Sequence, residues 1–218
     1  MKRARRPFVI ANFALTADGK VSTRNHTPAQ FGSAHDKNRL LEIRASGDAV
    51  IAGRRTVETD QMSLGLRDTP PEQSPLRVLI SESGRISPKW KVFHSVGGAI
   101  VIFTTQGMTA KTRDELKRNP QVTLHVMKTV RLPRVLEILQ TKHRVRKLVC
   151  EGGPQLFRSF VEIGVVDQLH VTIAPRLFGG TEAPTLTGVS KSFLRTIAAF
   201  RLTRYEVVGD ECFLTYRK

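Results

Sequence analysis

The segment at residues 148–157, LVCEGGPQLF, constrains the fold most, because it joins an apolar strand to a helix through a two-glycine turn. Pro154 suits the first helical position, since its missing N–H would have no intrahelical partner there. Gly152 and Gly153 lack a Cβ and let backbone N–H groups approach a ligand. The helix N-terminus adds free donors and a partial positive charge, so the segment predicts a strand-turn-helix unit that can hold a phosphate. A turn of this kind also forms without any ligand.

The remainder of the chain alternates strands and helices in the same way. A first strand from residue 7 ends at an Asp18-Gly19 turn, and further strands are predicted at residues 48–53, 76–81, 99–104, 122–126, 147–151, 167–175, 199–208 and 211–217. Helices are predicted between an N-cap at Ser33 and a stop at Gly47, from residue 54, near residues 109–118, at residues 132–140 and from residue 154. Ser33 and Asp36, three residues apart, predict a variant of the capping box.

These elements predict a single α/β domain over residues 1–218 with a central, mixed and mostly parallel sheet. Helices are expected on both faces of the sheet. The last two strands flank Gly209 and Asp210, which predicts a C-terminal antiparallel hairpin. Residues 1–6 are predicted to form a flexible basic tail.

The chain is strongly basic, with a formal net charge of +16, which favours polyanions or phosphorylated metabolites as ligands. Aromatic residues make up only 6%, so the stacking platforms of many nucleic-acid-binding domains are not indicated. A basic nucleic-acid-binding protein stays open as the non-enzyme alternative. No apolar run is long enough for a membrane span, and no metal-ligand spacing is present. Cys150 and Cys212 lie in separate strand-like runs typical of buried, reduced thiols, which indicates a cytoplasmic location.

Three predicted strands end in turns that suit phosphate groups, and ligands of open α/β sheets bind at the carboxyl ends of strands. Gly53 is followed by Arg54, Arg55 and Thr56, whose donors can reach phosphate oxygens. Ser81 ends the next strand, and its hydroxyl can contact the 2′-phosphate of a nucleotide. The two-glycine turn is the third. Each turn has an ordinary structural explanation, but three of them in one sheet favour a dinucleotide, although the Rossmann GxGxxG fingerprint is absent.

Several segments together resemble a known family. They are ALTADGK at residues 14–20, LLEIRASGDAVIAGRRTVETD at 40–60, PLRVLIS at 75–81, CEGGPQLFRSF at 150–160 and VDQLHVTIAPRLFGG at 166–180. Over nearly its whole length the chain is similar to the reductase domain of bacterial riboflavin biosynthesis, which has the dihydrofolate-reductase-like fold. The resemblance implies an NADPH-dependent oxidoreductase that reduces the ribosyl group of 5-amino-6-(5-phosphoribosylamino)uracil to ribityl. It also implies a homodimer, and we expect no fused deaminase domain.

The resemblance further implies roles for individual residues. NADPH would be bound by Ala14, Gly53, Arg54, Thr56, Asp60, Ser81, Gly152, Gly153, Pro154, Gln155, Leu156 and Phe157. The phosphorylated pyrimidine would contact Arg44, Leu64, Arg67 and Glu151. Arginine suits the ribose 5-phosphate because a guanidinium grips two oxygens at once. Lys20 and Glu151 would orient and protonate the substrate. Without the family, Arg44 could equally satisfy its helix end, and Lys20 could be a solvated turn residue.

Some residues near the proposed substrate contacts depart from the family pattern. Pro28, Gln30 and Gln61 stand where the family commonly has other residues. A related reductase that acts on a pterin or another heterocycle is therefore an open alternative. A folate enzyme would place a carboxylate in its first long helix to contact the pterin. Asp36 lies in such a helix, but its position near the helix start favours capping.

Overall fold

The computed structural model describes residues 6–23, 31–66, 68–189 and 192–218. In these residues the chain forms two compact units. The first unit contains the residues up to Phe8 together with Arg44–Val149, and the second contains Val9–Ile43 and Cys150–Lys218. Most of the predicted tail at residues 1–6 lies outside the described residues. The carbonyl oxygen of Arg6 accepts a hydrogen bond from Gln140 Nε2 at 3.3 Å.

The elements alternate as the sequence predicts, and most predicted boundaries lie within about two residues of the observed ones. The strands are β1 (Phe8–Thr16), β2 (Ala49–Gly53), β3 (Leu76–Ser81), β4 (Ile100–Thr105), β5 (Val122–Met127), β6 (Lys147–Gly152), β7 (Val166–Ala174), β8 (Arg201–Val208) and β9 (Glu211–Arg217). The helices are α1 (Ala34–Ala45), α2 (Arg54–Thr59), α3 (Ala110–Lys117), α4 (Leu132–Thr141) and α5 (Pro154–Glu162). Short 3-10 turns, which were not predicted, lie at Pro71–Gln73 and Lys91–Phe93.

In the first unit, four parallel strands lie side by side in the order β5-β4-β3-β2. Their register places Gly53 opposite Ile80 and Ser81 opposite Thr104. Because these strands run in the same direction, the carboxyl ends of β2, β3 and β4 lie at one edge. Strand β4 is buried along its whole length, as expected for the interior of a parallel sheet.

In the second unit, β1 pairs in parallel with β7, and β7, β9 and β8 form an antiparallel run. Phe13 of β1 packs against Phe157 of α5 with ring centroids 4.9 Å apart, so α5 covers this face. Ala14 and its register partner Thr172 point to the opposite face, because side chains alternate along a strand. Helix α1 contacts that face. Helices on both faces and the C-terminal hairpin are thus confirmed.

The start of α1 differs from the predicted capping box. Ser33 is the N-cap, since its hydroxyl accepts the Asp36 N–H at 3.2 Å. The Ser33 N–H, however, donates to Glu211 Oε1 at 2.9 Å, and the Ser33 hydroxyl donates to Glu211 Oε2 at 2.5 Å. Glu211 begins β9 and reaches α1 only through the folded sheet. The prediction that Asp36 closes the box is therefore wrong, because a distant carboxylate takes that place.

Both cysteines are free. Cys150 is buried, as predicted, whereas the prediction that Cys212 is buried is wrong, since Cys212 is only half-buried in the C-terminal strand β9. Burial raises the pKa of the Cys150 thiol to about 12. A thiol with so high a pKa stays protonated and unreactive at neutral pH. In the described part of the chain, no helix combines the length and the apolar character needed to cross a membrane.

Candidate functional site

The two glycines in the turn after β6 have different conformational needs. Gly152 has a φ of +108°, which residues with a side chain rarely adopt, and a Cβ there would lie 3.4 Å from the Phe13 ring. Gly153 has φ −76° and ψ −170°, an extended conformation open to any residue. The peptide bond between them is cis. The positive φ therefore requires glycine at position 152, whereas the backbone conformation at position 153 does not.

Helix α5 begins directly after Gly153, with Pro154 as its first residue, as predicted. Its N-cap residue, Gly153, has no side chain that could cap the helix, and the backbone N–H groups of a first helical turn have no intrahelical partner. Phe157 is buried, Leu156 is half-buried and Gln155 is exposed. The start of α5 is consequently suited to an anionic group.

A buried carboxylate comes just before this turn. Glu151 of β6 is only 8% exposed, and carboxylates are seldom buried to that extent without a partner. Ala14 lies in β1 beside Thr172 of β7. Both Glu151 and Ala14 belong to the second unit, as does the glycine turn.

Lys20 is anchored rather than freely solvated. Its backbone N–H donates to Thr16 Oγ1 at 2.9 Å, and its Nζ donates to the carbonyl oxygen of Ala183 at 3.3 Å. Asp18 of the same turn accepts the Gly179 N–H at 2.7 Å. The turn after β1 is thereby fastened to the segment that follows β7, which fixes the position of the Lys20 ammonium group.

In the first unit, the carboxyl ends of β2 and β3 lie next to each other, because the two strands are adjacent and in register. Helix α2 begins after Gly53 without a side-chain cap, which repeats the arrangement at α5. Ser81 is 2% exposed, and its hydroxyl donates to the Arg85 carbonyl at 3.4 Å inside its own turn. Two of the three predicted phosphate turns are thus brought together within this unit.

The predicted side chains of α2 are partly engaged within the helix. Arg54 forms an ion pair with Glu58 one turn later, whereas Arg55 is exposed. Thr56 is half-buried, and its carbonyl oxygen accepts the Asp60 N–H at 2.9 Å. Partial burial raises the pKa of the Asp60 carboxyl above its usual value. Arg55 is therefore the more accessible arginine after the carboxyl end of β2.

Arg44 is buried, and it holds a loop of the first unit. It is 7% exposed, and its Nη1 donates to the Gly65 carbonyl at 2.9 Å. The neighbouring Leu64 is fully buried with a φ of +55°, a conformation that is uncommon for residues other than glycine. Arg44 thus helps to fix the loop that carries Leu64. Three positions singled out from the sequence lie outside the described residues: Pro28, Gln30 and Arg67.

A polar group on the α1 face of the second unit was not predicted to be functional. The Asp36 carboxyl is half-buried, and its pKa is raised by burial, while the nearby Thr172 side chain acts in the opposite direction. Arg39 packs over the Phe213 ring at 5.1 Å and donates to Thr215 Oγ1 at 3.2 Å. The alternation of polar and apolar residues in β7 was the sequence signal that one face of this strand is polar. Only the packing of α1 shows which polar residues meet.

These features fit a nucleotide cofactor. Helices α2 and α5 both begin without a side-chain cap, and each follows a glycine at the end of a strand. An uncapped helix start offers N–H donors and positive potential to phosphate oxygens. Each of these two helix starts, taken by itself, offers a place for a phosphate group.

Comparisons with known proteins give a consistent result. Residues 7–214 match the family model described as the RibD C-terminal domain. The chain is 29% identical over 214 residues to the 2,5-diamino-6-ribosylamino-4(3H)-pyrimidinone 5′-phosphate reductase of Methanothermobacter thermautotrophicus, and the match covers 97% of this chain and 98% of that protein. It is 27% identical to the riboflavin biosynthesis protein RibD of Bacillus amyloliquefaciens, over 96% of this chain and 57% of that protein.

Solved structures share the fold. Acinetobacter baumannii RibD superposes with a TM-score of 0.81 at 19% identity, over 97% of this chain and 58% of that chain. The Saccharomyces cerevisiae riboflavin biosynthesis reductase Rib7 gives a TM-score of 0.72 at 18% identity, over 100% of this chain and 92% of that chain. The chain therefore spans little more than half the length of the RibD proteins and nearly the whole length of the other two relatives.

Proposed function

Because the chain belongs to the RibD C-terminal domain family, we propose that it is an NADPH-dependent reductase of riboflavin biosynthesis that acts on a ribosylaminopyrimidine 5′-phosphate. Membership of this reductase family implies a nicotinamide cofactor, and NADPH is the proposed form. The main observation is that α5 begins uncapped behind Gly153, where the backbone conformation does not itself require glycine. Close approach of a phosphate group would explain both the uncapped start of α5 and the presence of glycine at position 153.

The proposed NADPH contacts are those predicted from the sequence. In the second unit they are Ala14 and residues 152–157. In the first unit they are Gly53, Arg54, Thr56, Asp60 and Ser81. The candidates for the extra phosphate that distinguishes NADPH from NADH are Arg54, Arg55 and Ser81. Because Arg54 is paired with Glu58, the exposed Arg55 is the more accessible of the two arginines.

Two substrates fit the proposed reaction. The resemblance found in the sequence implies 5-amino-6-(5-phosphoribosylamino)uracil. Two relatives that this chain covers over 98% of their length are named instead for 2,5-diamino-6-ribosylamino-4(3H)-pyrimidinone 5′-phosphate. The second compound carries an amino group on the ring carbon where the first has an oxo group. The proposed contacts to either substrate are Arg44, Leu64, Arg67 and Glu151.

Reduction of the ribosyl group requires a hydride and a proton at well-aligned positions. NADPH supplies the hydride when it is bound. Lys20 and Glu151 are proposed to orient the substrate and to deliver the proton. Lys20 is held by the Ala183 carbonyl, and Glu151 is buried at the end of β6.

Turnover assays test the proposed function directly. The purified protein is expected to oxidise NADPH in the presence of at least one of the two pyrimidines, and mass spectrometry should detect the ribityl product. NADH is the matched control, with kcat/KM expected to be at least about tenfold lower, which corresponds to about 1.4 kcal/mol. Absence of turnover with either pyrimidine, combined with strongly salt-dependent binding to a DNA duplex, would favour the nucleic-acid alternative.

We also propose that the chain forms a homodimer through the edge strand β8. Among the described strands, β8 pairs only with β9. It exposes Leu202, Tyr205 and Val207 at 50%, 73% and 68%. An edge strand presents unpaired backbone groups, and pairing two copies across a twofold axis would satisfy these groups and place the apolar side chains of the two strands next to each other.

The substitution Val207→Lys is expected to convert this dimer to a monomer, because it places two charges in a twofold interface. Sedimentation velocity or light scattering measures the mass. Val126→Lys is the matched control, since Val126 is 40% exposed on the edge strand β5 of the first unit. Equal masses for the wild type and Val207→Lys would contradict the assigned interface.

The proposed compartment is the cytoplasm. Cys150 and Cys212 are both free thiols. Proteins of oxidising compartments commonly carry disulfides, whereas those of the cytoplasm keep their thiols reduced.

A further inference from the structure

A short segment of the second unit, residues 183–188, holds the turn that carries Lys20. The backbones of Lys20 and Thr185 form an antiparallel bridge, and the Val21 N–H donates to the Pro184 carbonyl at 2.9 Å. Lys20 Nζ also donates to a carbonyl oxygen of this segment at 3.3 Å. The side chain of lysine is long and flexible, so the position of its ammonium group depends on the carbonyl that accepts its hydrogen bond.

Residues 185–188 of the same segment form a tight turn. The Gly188 N–H donates to the Thr185 carbonyl at 2.9 Å, and the Thr185 hydroxyl donates to the Gly188 carbonyl at 3.0 Å. Gly188 has a φ of +85°, in the left-handed region that residues with a side chain adopt only at a cost. The hydroxyl of Thr185 and the missing side chain of Gly188 therefore both stabilise this turn.

The turn also lies against the start of α5. A Cβ at Gly188 would lie 3.7 Å from the Pro154 Cβ and 4.0 Å from the Gln155 backbone nitrogen, which are ordinary packing distances. The start of α5 is the place proposed above for a phosphate group of the cofactor. One four-residue turn thus contacts the Lys20 turn through Thr185 and the cofactor helix through Gly188.

We propose that Thr185 and Gly188 are positioning residues, which couple cofactor binding at the start of α5 to the placement of the Lys20 ammonium group. This inference rests on the proposed function. A phosphate group held by the start of α5 restricts the turn packed against it, and the backbone bridge passes this restriction to Lys20. Such placement matters for proton delivery, because a misplacement of about 1 Å can lower a rate by about 100-fold.

The variant Thr185→Val tests the role of the hydroxyl, because valine keeps the branched shape and removes the hydrogen bond to Gly188. With the reducible pyrimidine, kcat is expected to fall about tenfold, since the Lys20 ammonium group is held less precisely. Thr185→Ser is the matched control. It keeps the hydroxyl and should retain most of the wild-type kcat.

A double variant separates positioning from a general structural role. In the Lys20→Met background, Thr185→Val should cause no further loss of the residual kcat, because its effect acts through the ammonium group that is already missing. A structural role of Thr185 that is independent of Lys20 would lower kcat by the same factor in both backgrounds.

Hydrogen exchange measures the coupling without turnover. NADPH is expected to slow exchange of the Val21 N–H about fivefold or more in the wild type, in the range of typical coupling between sites. Gly188→Ala distorts the turn and should abolish this protection, and Thr185→Val should weaken it. Gly209→Ala is the matched control, since Gly209 has a φ of +59° at the β8–β9 hairpin. It carries similar backbone strain and should keep the protection.

The outcomes for the coupling and for the proposed function are separable. If the wild type bound NADPH but reduced neither pyrimidine, the proposed function would fail, while the exchange of the Val21 N–H would still decide the coupling. Equal losses from Thr185→Val with and without the Lys20 side chain would overturn the inference. Protection by NADPH that persists in folded Gly188→Ala and in Thr185→Val would overturn it as well.

Discussion

The substitution Gly153→Val is expected to weaken NADPH binding at least about 100-fold, about 2.7 kcal/mol, while the protein stays folded. The extended backbone of Gly153 accepts a side chain without strain. A β-branched side chain at this N-cap would occupy the approach to the uncapped start of α5. The anion contacts of that helix start would then be lost together with the steric fit.

Calorimetric titration with NADPH measures the effect, and thermal unfolding followed by circular dichroism verifies the fold. Ala110→Val is the control, because Ala110 is the exposed first residue of α3, directly after the N-cap Thr109. It should leave both NADPH affinity and folding unchanged. A folded Gly153→Val protein with wild-type affinity would remove the glycine turn from the cofactor site.

Local signals in the sequence predicted the order of the elements. The run LRVLIS predicted β3 with its observed bounds, and the Gly-Gly-Pro turn predicted the start of α5. Both signals lie within a few neighbouring residues, where strand propensity and helix-start chemistry act. The sequence indicated that glycine matters in this turn, but it could not show that Gly152 and Gly153 have different backbone requirements. Their different φ angles become visible only in the folded backbone.

Contacts between distant residues could not be predicted in this way. The pair of Ser33 and Glu211 is separated by 178 positions, so the capping box was assigned to the nearer Asp36. For the same reason, the hydrogen bond from Arg39 to Thr215 was missed. The individual site roles were taken from family resemblance, because spacing alone gave ordinary structural explanations for Lys20 and Arg44.

The strand pattern also gave no indication of the structural role of Arg77. It is the second residue of β3 and is 1% exposed. Its guanidinium donates to the carbonyl oxygens of Gly98 at 2.7 Å, Val92 at 2.7 Å and Ser95 at 3.0 Å. Burial lowers its pKa, but an arginine remains charged in proteins. One buried cation therefore holds the segment between the Lys91–Phe93 turn and β4.

The substitution Arg77→Met is expected to lower the free energy of unfolding by about 3 kcal/mol. Methionine fills part of the volume but donates no hydrogen bond, so three carbonyl groups lose their partner. Each buried unpaired group costs about 1–3 kcal/mol. Removal of a buried charge recovers part of this loss, since its desolvation cost disappears.

Urea denaturation of the purified protein measures the change, and Arg134→Met provides the comparison. Arg134 carries the same side chain on the surface of α4, where it is 52% exposed and paired with Glu137. An exposed ion pair of this kind contributes at most about 1 kcal/mol. If the two variants lost equal stability, the carbonyl contacts of Arg77 would not be what holds residues 92–98 in place. A loss confined to Arg77→Met would establish that this segment depends on one internal arginine.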